Sequence, residues 1–118
     1  MDELISTQKI NQRTIKDILK IHDTQHGLLV NARDLCVALR ASPNHQYWIR
    51  QIILKKHLCF GVDFFIEKKT YKDISYEEIR LSLDAVRKIA SLEYSEHALE
   101  VLCFLDEFNK EQRNGRIN

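Results

Sequence analysis

The chain has 118 residues, of which 44% are hydrophobic, and its formal net charge is +1. This length and composition suit one globular domain, residues 1–118, with a single core. The longest fully apolar stretches are only a few residues, which excludes a membrane span and a signal-peptide core. We therefore expect a protein that stays in the cytoplasm where it is made.

The residue types that carry chemistry are scattered along the chain. Cys36, Cys59 and Cys103 are widely spaced and form no C-x-x-C pair, so we interpret them as buried apolar residues and not as disulfide or zinc positions. His57 and Cys59 are the only ligand-type histidine and cysteine close in sequence. No glycine-rich phosphate loop is present, and nothing places a thiol beside a base. We expect no enzyme, no metal or other cofactor, and no small-molecule substrate.

The first predicted element in chain order is a short amphipathic helix over residues 12–21. The segment HDTQHG that follows indicates a turn with Gly27 as its pivot. Residues 1–28 are thus expected to form a helical extension to a core of residues 29–108.

A pair of helices follows. Asn31 is a good N-cap for a helix over residues 32–40. Ser42 is predicted to cap a second helix over residues 43–57, with Pro43 at its first position, where the missing N–H costs nothing. The break between the two helices is then about three residues.

The second helix has an apolar face of Trp48, Ile49, Ile52 and Ile53 and an opposite face with hydrogen-bonding side chains. A helix, a short turn and such a helix are what a helix-turn-helix needs to reach base edges. A solvated helical hairpin has the same pattern, so both interpretations stay open. The outward residues that would contact DNA are Asn44, Tyr47, Arg50, Gln51 and Lys55.

The hydrophobic period then changes to that of strands. GVDFFIE, residues 61–67, and IRLSL, residues 79–83, each indicate a strand, and KKTYKDISYEE between them either continues the strands or forms a wing. In a wing, Lys68, Lys69 and Lys72 would lie at the tip, where phosphates are commonly met. The other interpretation is a lysine-rich solvated loop.

Two further helices complete the chain. Ser82 is predicted to cap a helix that starts at Leu83, and Ser95 a helix that ends near Gly115. Eight of the eleven residues 98–108 are apolar, more than one core-facing stripe requires. Either the last helix is central to the domain, or a second face meets another chain as a homodimer or partner interface. The predicted interface residues are Leu99, Leu102, Phe104, Leu105 and Phe108.

Together these elements predict a mainly helical, winged-helix-like α+β domain with about five helices and one small antiparallel β-sheet. Its charge is uneven: residues 1–60 carry nine basic and five acidic side chains, and residues 61–118 carry nine and twelve. This basic excess is weak for a protein that neutralises many phosphates. Composition therefore favours a protein partner over DNA.

The order and spacing of these segments resemble the N-terminal domain of phage antirepressors of the AntA/AntB type. The resemblance covers residues 29 to about 108. The segments that carry it are LVNARDLC with Leu39, YWIRQII, GVDFF, LSLDAVRKIASLE, and the SE pair followed by Phe104 and Glu107.

This resemblance implies a phage or prophage protein that binds a transcriptional repressor in a bacterial cell and relieves repression, without catalytic residues. The sequence departs from the family where Ala98, Leu102 and Cys103 replace basic and glycine residues, and where KKTYKDISYEE replaces a Gly/Arg-rich connection. The alternative function is a winged-helix-type, sequence-specific DNA-binding regulator.

Overall fold

The computed structural model describes residues 15–117, with side chains up to residue 112. Within that range the chain forms five helices and one four-stranded antiparallel sheet, which confirms the predicted α+β class. The elements are α1 (Ile15–Ile18), β1 (Ile21–Thr24), β2 (Gly27–Asn31), α2 (Ala32–Leu39), α3 (His45–Lys55), β3 (Phe64–Tyr71), β4 (Ile74–Ser82), α4 (Leu83–Ser91) and α5 (Glu96–Ile117).

The sheet has the strand order β1-β2-β4-β3. Its centre is the antiparallel pair of β2 and β4, where Val30 lies opposite Leu81 and both side chains are fully buried. These two residues join the apolar sides of the helices in one core cluster. Two hairpins are therefore joined through the middle of the sheet, and the helices cover its apolar face.

The N-terminal part differs from the prediction of a helix over residues 12–21 and of a helical extension. Helix α1 ends at Ile18, and residues 21–24 pair with residues 27–31 as a hairpin; residues 1–14 lie outside the described range. Thr24 Oγ1 donates to the Gly27 carbonyl over 2.9 Å, and Gly27 has a φ of +100°. The predicted turn is present, but it joins two strands because pairing buries Val30 against the core.

The helix pair follows the prediction in α2 and differs at the start of α3. Asn31 caps α2 as predicted, its side chain accepting from the Arg33 N–H at 2.9 Å. Helix α3 is capped by Asn44, which accepts from the Tyr47 N–H at 3.1 Å, and not by Ser42. The Ser42 hydroxyl instead accepts from the Asn44 N–H at 3.2 Å, so Pro43 precedes the helix and the linker is five residues long.

The predicted strands are longer than GVDFFIE and IRLSL, and they form a hairpin with a tip at Lys72 and Asp73. Both tip residues have positive φ, 48° and 66°, as a type I′ turn requires. The polar segment between the predicted strands therefore continues them. Of the three lysines predicted at a wing tip, only Lys72 is there, because Lys68 and Lys69 lie within β3.

Two strands pass into helices without a loop. Asn31 is the last residue of β2 and the cap of α2, and Ser82 is the last residue of β4 and the cap of α4, accepting from the Ala85 N–H at 3.1 Å. Ser95 caps α5 as predicted, accepting from the Ala98 N–H at 3.1 Å. Helix α5 continues past Gly115 to Ile117, beyond its predicted end.

A buried carboxylate fixes the turn before β3. Asp63 Oδ2 accepts from the Cys59 N–H at 2.9 Å, and its Oδ1 lies 3.5 Å from Lys88 Nζ. The Cys59 carbonyl in turn accepts from the Asp63 N–H at 2.8 Å. These bonds hold residues 59–63 in one conformation and dock them beside α4.

We expect Asp63→Ala to lower the free energy of unfolding by about 1–3 kcal/mol, because it leaves the Cys59 N–H without its acceptor. Asp63→Asn should cost less, since an amide oxygen can replace that acceptor. Lys88→Ala should cost about 0–1 kcal/mol, because the lysine is solvent-exposed. Urea titrations of the three variants test this order. A Lys88 effect as large as that of Asp63→Ala would contradict it.

The cysteines differ from the prediction that all three are buried. Cys36 is buried, and its thiol donates to the Ser42 carbonyl at 3.3 Å, whereas Cys59 and Cys103 are exposed. Burial also raises the pKa of the Cys36 thiol. The prediction rested on the usual burial of free cysteines, which does not take the position of each residue into account. Cys59 lies in a turn, and Cys103 lies on the outer side of α5.

Two of the three thiols should therefore react rapidly with a thiol reagent in the native protein. The Cys36 thiol should react only as the chain unfolds, because it is both inaccessible and protonated. A colorimetric thiol count with and without denaturant measures this difference. Equal reaction of all three thiols in the native protein would contradict the assignment of Cys36 to the core.

Candidate partner-binding surface

Helix α5 has a core side and an outer side. Ala98, Val101 and Leu105 are buried in the core cluster, and Leu105 is only 1% exposed. Leu105 is therefore not an interface residue, contrary to the prediction. The helix packs against α1, α2 and α4, so its inner side is central to the domain.

The remaining predicted interface residues form a gradient from the core to the surface. Leu102 and Phe104 are half-buried and pack against the core, and Phe108 is half-buried. Leu99 is 63% exposed. Core packing thus explains most of the apolar residues on this helix. The apolar surface that stays exposed belongs to Leu99 and to the edge of Leu102.

These two leucines line an apolar groove between α4 and α5, which we call the α4–α5 groove. Its volume is about 440 Å³, and Ala90, Tyr94 and Ala98 also line it. Tyr94, in the link between the helices, has a φ of 46° and is 90% exposed. Large apolar side chains grouped at a concave surface are typical of binding sites.

Acidic residues accompany the α4–α5 groove: Glu96 lines it, and Glu93 and Glu100 are near it in the sequence, so we call these three its acidic rim. Residues 93–111 contain six acidic side chains and one lysine. Glu93 and Glu96 flank Tyr94, and Glu100 follows Leu99 on the exposed side of α5. Only Asp106 of this group makes a described ion pair, 2.9 Å from Arg87 Nη1. The groove therefore suits an apolar partner segment with basic neighbours.

Tyr94, Ala90 and Ser91 belong to this groove and were not among the predicted site residues. Ala90 and Ser91 are the last residues of α4. Tyr94 lies in the link to α5, where helical periodicity gives no information on which side chains are exposed. The signal in the sequence is the single aromatic residue of the short polar link LEYSE.

The predicted DNA-contacting residues of α3 lie on or near its solvent side. Tyr47, Arg50 and Lys55 are exposed, and Gln51 is half-buried. Asn44 is exposed, but its amide oxygen caps the helix. Residues 35–62 contain four basic and no acidic side chains, which makes this the basic part of the described chain.

The β3–β4 hairpin is not basic. Lys69 Nζ lies 3.1 Å from Glu67 Oε1, and this hydrogen bond, with help from the Arg80 guanidinium, lowers the pKa of Glu67. Arg80 Nε lies 2.7 Å from Glu67 Oε2, but its N–H does not point at that oxygen, so the contact is an ion pair. Lys68 stands opposite Glu77 in the register. The predicted phosphate contacts of Lys68 and Lys69 are thus offset by neighbouring carboxylates.

A cleft of about 610 Å³ lies between the helices α2 and α3 on one side and this hairpin on the other. Arg33 and Arg50 line one wall, and Glu77 and Glu78 line the other. A nucleic acid that entered here would meet carboxylates as well as guanidinium groups. The cleft therefore favours DNA less than the basic stretch of residues 35–62 does alone.

Residues 15–112 contain no group of three or more histidine, cysteine or acidic side chains placed to hold a metal ion. The absence of a metal requirement stays a prediction. None of the helices in the described part of the chain combines the length and apolarity needed to cross a bilayer. Comparison with family models, curated proteins and solved structures found no match to this chain.

Proposed function

We propose that this chain is a phage or prophage antirepressor that binds a transcriptional repressor in the cytoplasm of a bacterial host. The acidic-rimmed apolar α4–α5 groove is the observation that carries the proposal. Repressors hold DNA through basic surfaces. A groove with apolar walls and carboxylates around it complements an apolar segment of such a surface, and the resemblance to antirepressors points the same way.

The mechanism needs no catalysis. A repressor whose DNA-binding region is occupied by the α4–α5 groove cannot hold its operator at the same time. Binding therefore lowers the concentration of free repressor by mass action. The acidic rim speeds the encounter, because opposite charges steer association. Salt should weaken this steering, since screening shortens its range.

The test uses a groove variant, Leu99→Ser with Tyr94→Asn, in which both replaced side chains are exposed. The repressor encoded by the same phage or prophage is bound to labelled operator DNA, and the chain is titrated in. The wild-type chain should release the DNA. The groove variant should need at least about a tenfold higher concentration for the same release, because it has lost binding hot spots.

The matched control is a hairpin-tip variant, Tyr71→Ser with Ile74→Ser, in which both replaced residues are as exposed as Leu99 and far from the groove in the chain. It should release DNA as the wild type does. Equal activity of the groove variant and the wild type would refute the docking site. Failure of the wild-type chain to release DNA would refute the proposed function.

A second candidate function, direct DNA binding, is favoured by the acid-free stretch of residues 35–62. In that case the chain itself should shift mixed DNA in a gel at low salt, and the shift should weaken as salt rises. Arg50→Ala should then reduce the affinity for DNA, because Arg50 is an exposed basic residue of α3. No shift at low salt would exclude this function.

A further inference from the structure

A second exposed apolar feature lies in the turn before β3. Phe60 and Val62 are 67% and 68% exposed, on either side of Gly61. Gly61 has a φ of +84°, and its N–H donates to the Phe64 carbonyl at 2.8 Å. We call Phe60 and Val62 the knob, because the backbone between them folds into a tight turn that leaves both side chains in solvent.

The knob is rigid. The Asp63 carboxylate accepts from the Cys59 N–H, and the Cys59 carbonyl accepts from the N–H groups of Val62, Asp63 and Phe64. The Phe60 ring meets the Phe64 ring edge-on, with their centroids 5.5 Å apart. An apolar protrusion that is already ordered loses little conformational freedom when it binds.

Two residues that precede the knob in the sequence, and one residue that contacts its turn, are basic. Lys55 and Lys56 precede it at the end of α3, and Lys88 of α4 reaches Asp63 beside it. The one carboxylate in the turn, that of Asp63, is buried. The charge around the knob is therefore opposite to the charge around the α4–α5 groove.

The knob and the α4–α5 groove flank α4 on different sides. Lys88 extends toward the knob turn and lies 3.5 Å from Asp63. The preceding residue, Arg87, extends toward α5 and lies 2.9 Å from Asp106. Successive residues of a helix point in directions about 100° apart, so the knob turn and α5 contact different sides of α4. One molecule can thus offer both surfaces at once.

We propose that the knob of one molecule binds in the α4–α5 groove of a second copy, so that the protein associates head to tail. The groove, about 440 Å³, has room for the two side chains of the knob. Lys55, Lys56 and Lys88 of one copy then approach Glu93, Glu96 and Glu100 of the next. The knob and the repressor proposed above would occupy the same groove and therefore compete for it, but self-association itself needs no repressor.

Symmetric pairing is less favourable for either surface. A dimer through two knobs would bring lysines against lysines, and a dimer through two grooves would bring carboxylates against carboxylates. The head-to-tail contact alone joins apolar surfaces and opposite charges together. Such a contact is heterologous, so it forms a ring when the rotation closes and a chain of molecules when it does not.

The test compares three variants by sedimentation at several protein concentrations. The knob variant is Phe60→Ser with Val62→Ser, and the groove variant and the hairpin-tip variant are those defined above. Wild type and hairpin-tip variant should associate as concentration rises. Association should weaken between ~0.1 M and ~1 M salt, which shortens the Debye length from about 10 Å to about 3 Å. The knob and groove variants should each stay at the chain mass of 14.0 kDa.

An equimolar mixture of the knob and groove variants decides the geometry. Each variant keeps one intact surface, so the mixture should form a 1:1 complex of twice the chain mass and nothing larger. Circular dichroism checks that both variants are folded. A wild type that stays monomeric, a knob or groove variant that still self-associates, or a mixture that stays monomeric would each overturn the proposal. The groove variant lacks the surface that both proposals use, so operator release is also measured with the knob variant, which keeps the groove. A monomeric knob variant that still releases operator DNA binds the repressor without self-association, so the two proposals are tested separately.

Discussion

Replacing Trp48 by alanine should lower the free energy of unfolding by about 3–5 kcal/mol. Trp48 is the only tryptophan of the chain and is buried in the core beside Ile49 and Ile52. Its removal leaves a cavity that the surrounding helices fill only in part. The total stability of a small domain is about 5–15 kcal/mol, so the variant is expected to be near the limit of folding.

Tyr47→Ala is the matched control for Trp48→Ala. The two residues are adjacent in α3, but Tyr47 is exposed, and its replacement should change the free energy of unfolding by no more than about 0.5 kcal/mol. Far-UV circular dichroism in urea measures both variants, since the tryptophan fluorescence is lost in one of them. Similar midpoints for the two variants would show that Trp48 does not hold the core together.

Leu105→Ala should lower the free energy of unfolding by about 2–5 kcal/mol. Leu105 is almost completely buried, in the helix that packs against α1, α2 and α4. The urea concentration at the midpoint of unfolding should fall. The slope of the free energy of unfolding against urea concentration should not change, because the surface exposed on unfolding is nearly the same.

Leu99→Ala on the same helix provides the comparison for Leu105→Ala. Leu99 is exposed, so its truncation should leave the free energy of unfolding within about 0.5 kcal/mol of the wild-type value. A large loss of stability in Leu99→Ala, or none in Leu105→Ala, would reverse the assignment of the two sides of α5.

The elements predicted most accurately are those whose ends are set locally. Asn31, Ser82 and Ser95 each accept from a backbone N–H in the first turn of the helix they were predicted to cap. Such bonds connect residues two or three positions apart, so a short window of sequence contains the whole cause. At Ser42 and Asn44 two good capping residues compete, and the sequence does not show which of them is the cap.

The N-terminal hairpin could not be predicted from its own residues. The sequence of residues 12–21 has a helical pattern, but Ile21 pairs with Val30, and Val30 pairs with Leu81. The free energy that favours the strand comes from this distant partner and from the burial of Val30 in the core. Tertiary contacts overrode the local preference, as they commonly do for short segments.

The candidate site was predicted in part, for a similar reason. Side chains six residues apart in a helix, such as Leu99 and Leu105, point about 120° apart, but the sequence does not say which side of α5 the domain covers. That depends on where α1, α2 and α4 pack. The link residue Tyr94 has no periodic pattern around it, so only its position after folding shows that it lines the groove.

The central strand pair makes the two halves of the chain depend on each other. Residues 1–60 contain the hairpin of β1 and β2, and residues 61–118 contain the hairpin of β3 and β4. An isolated two-stranded hairpin is marginal in water, and each half would expose one of Val30 and Leu81. A cut near residue 60 should therefore give two fragments that are largely unfolded alone. Their opposite net charges and their matching strand edges would let them fold together when mixed, as a complemented domain.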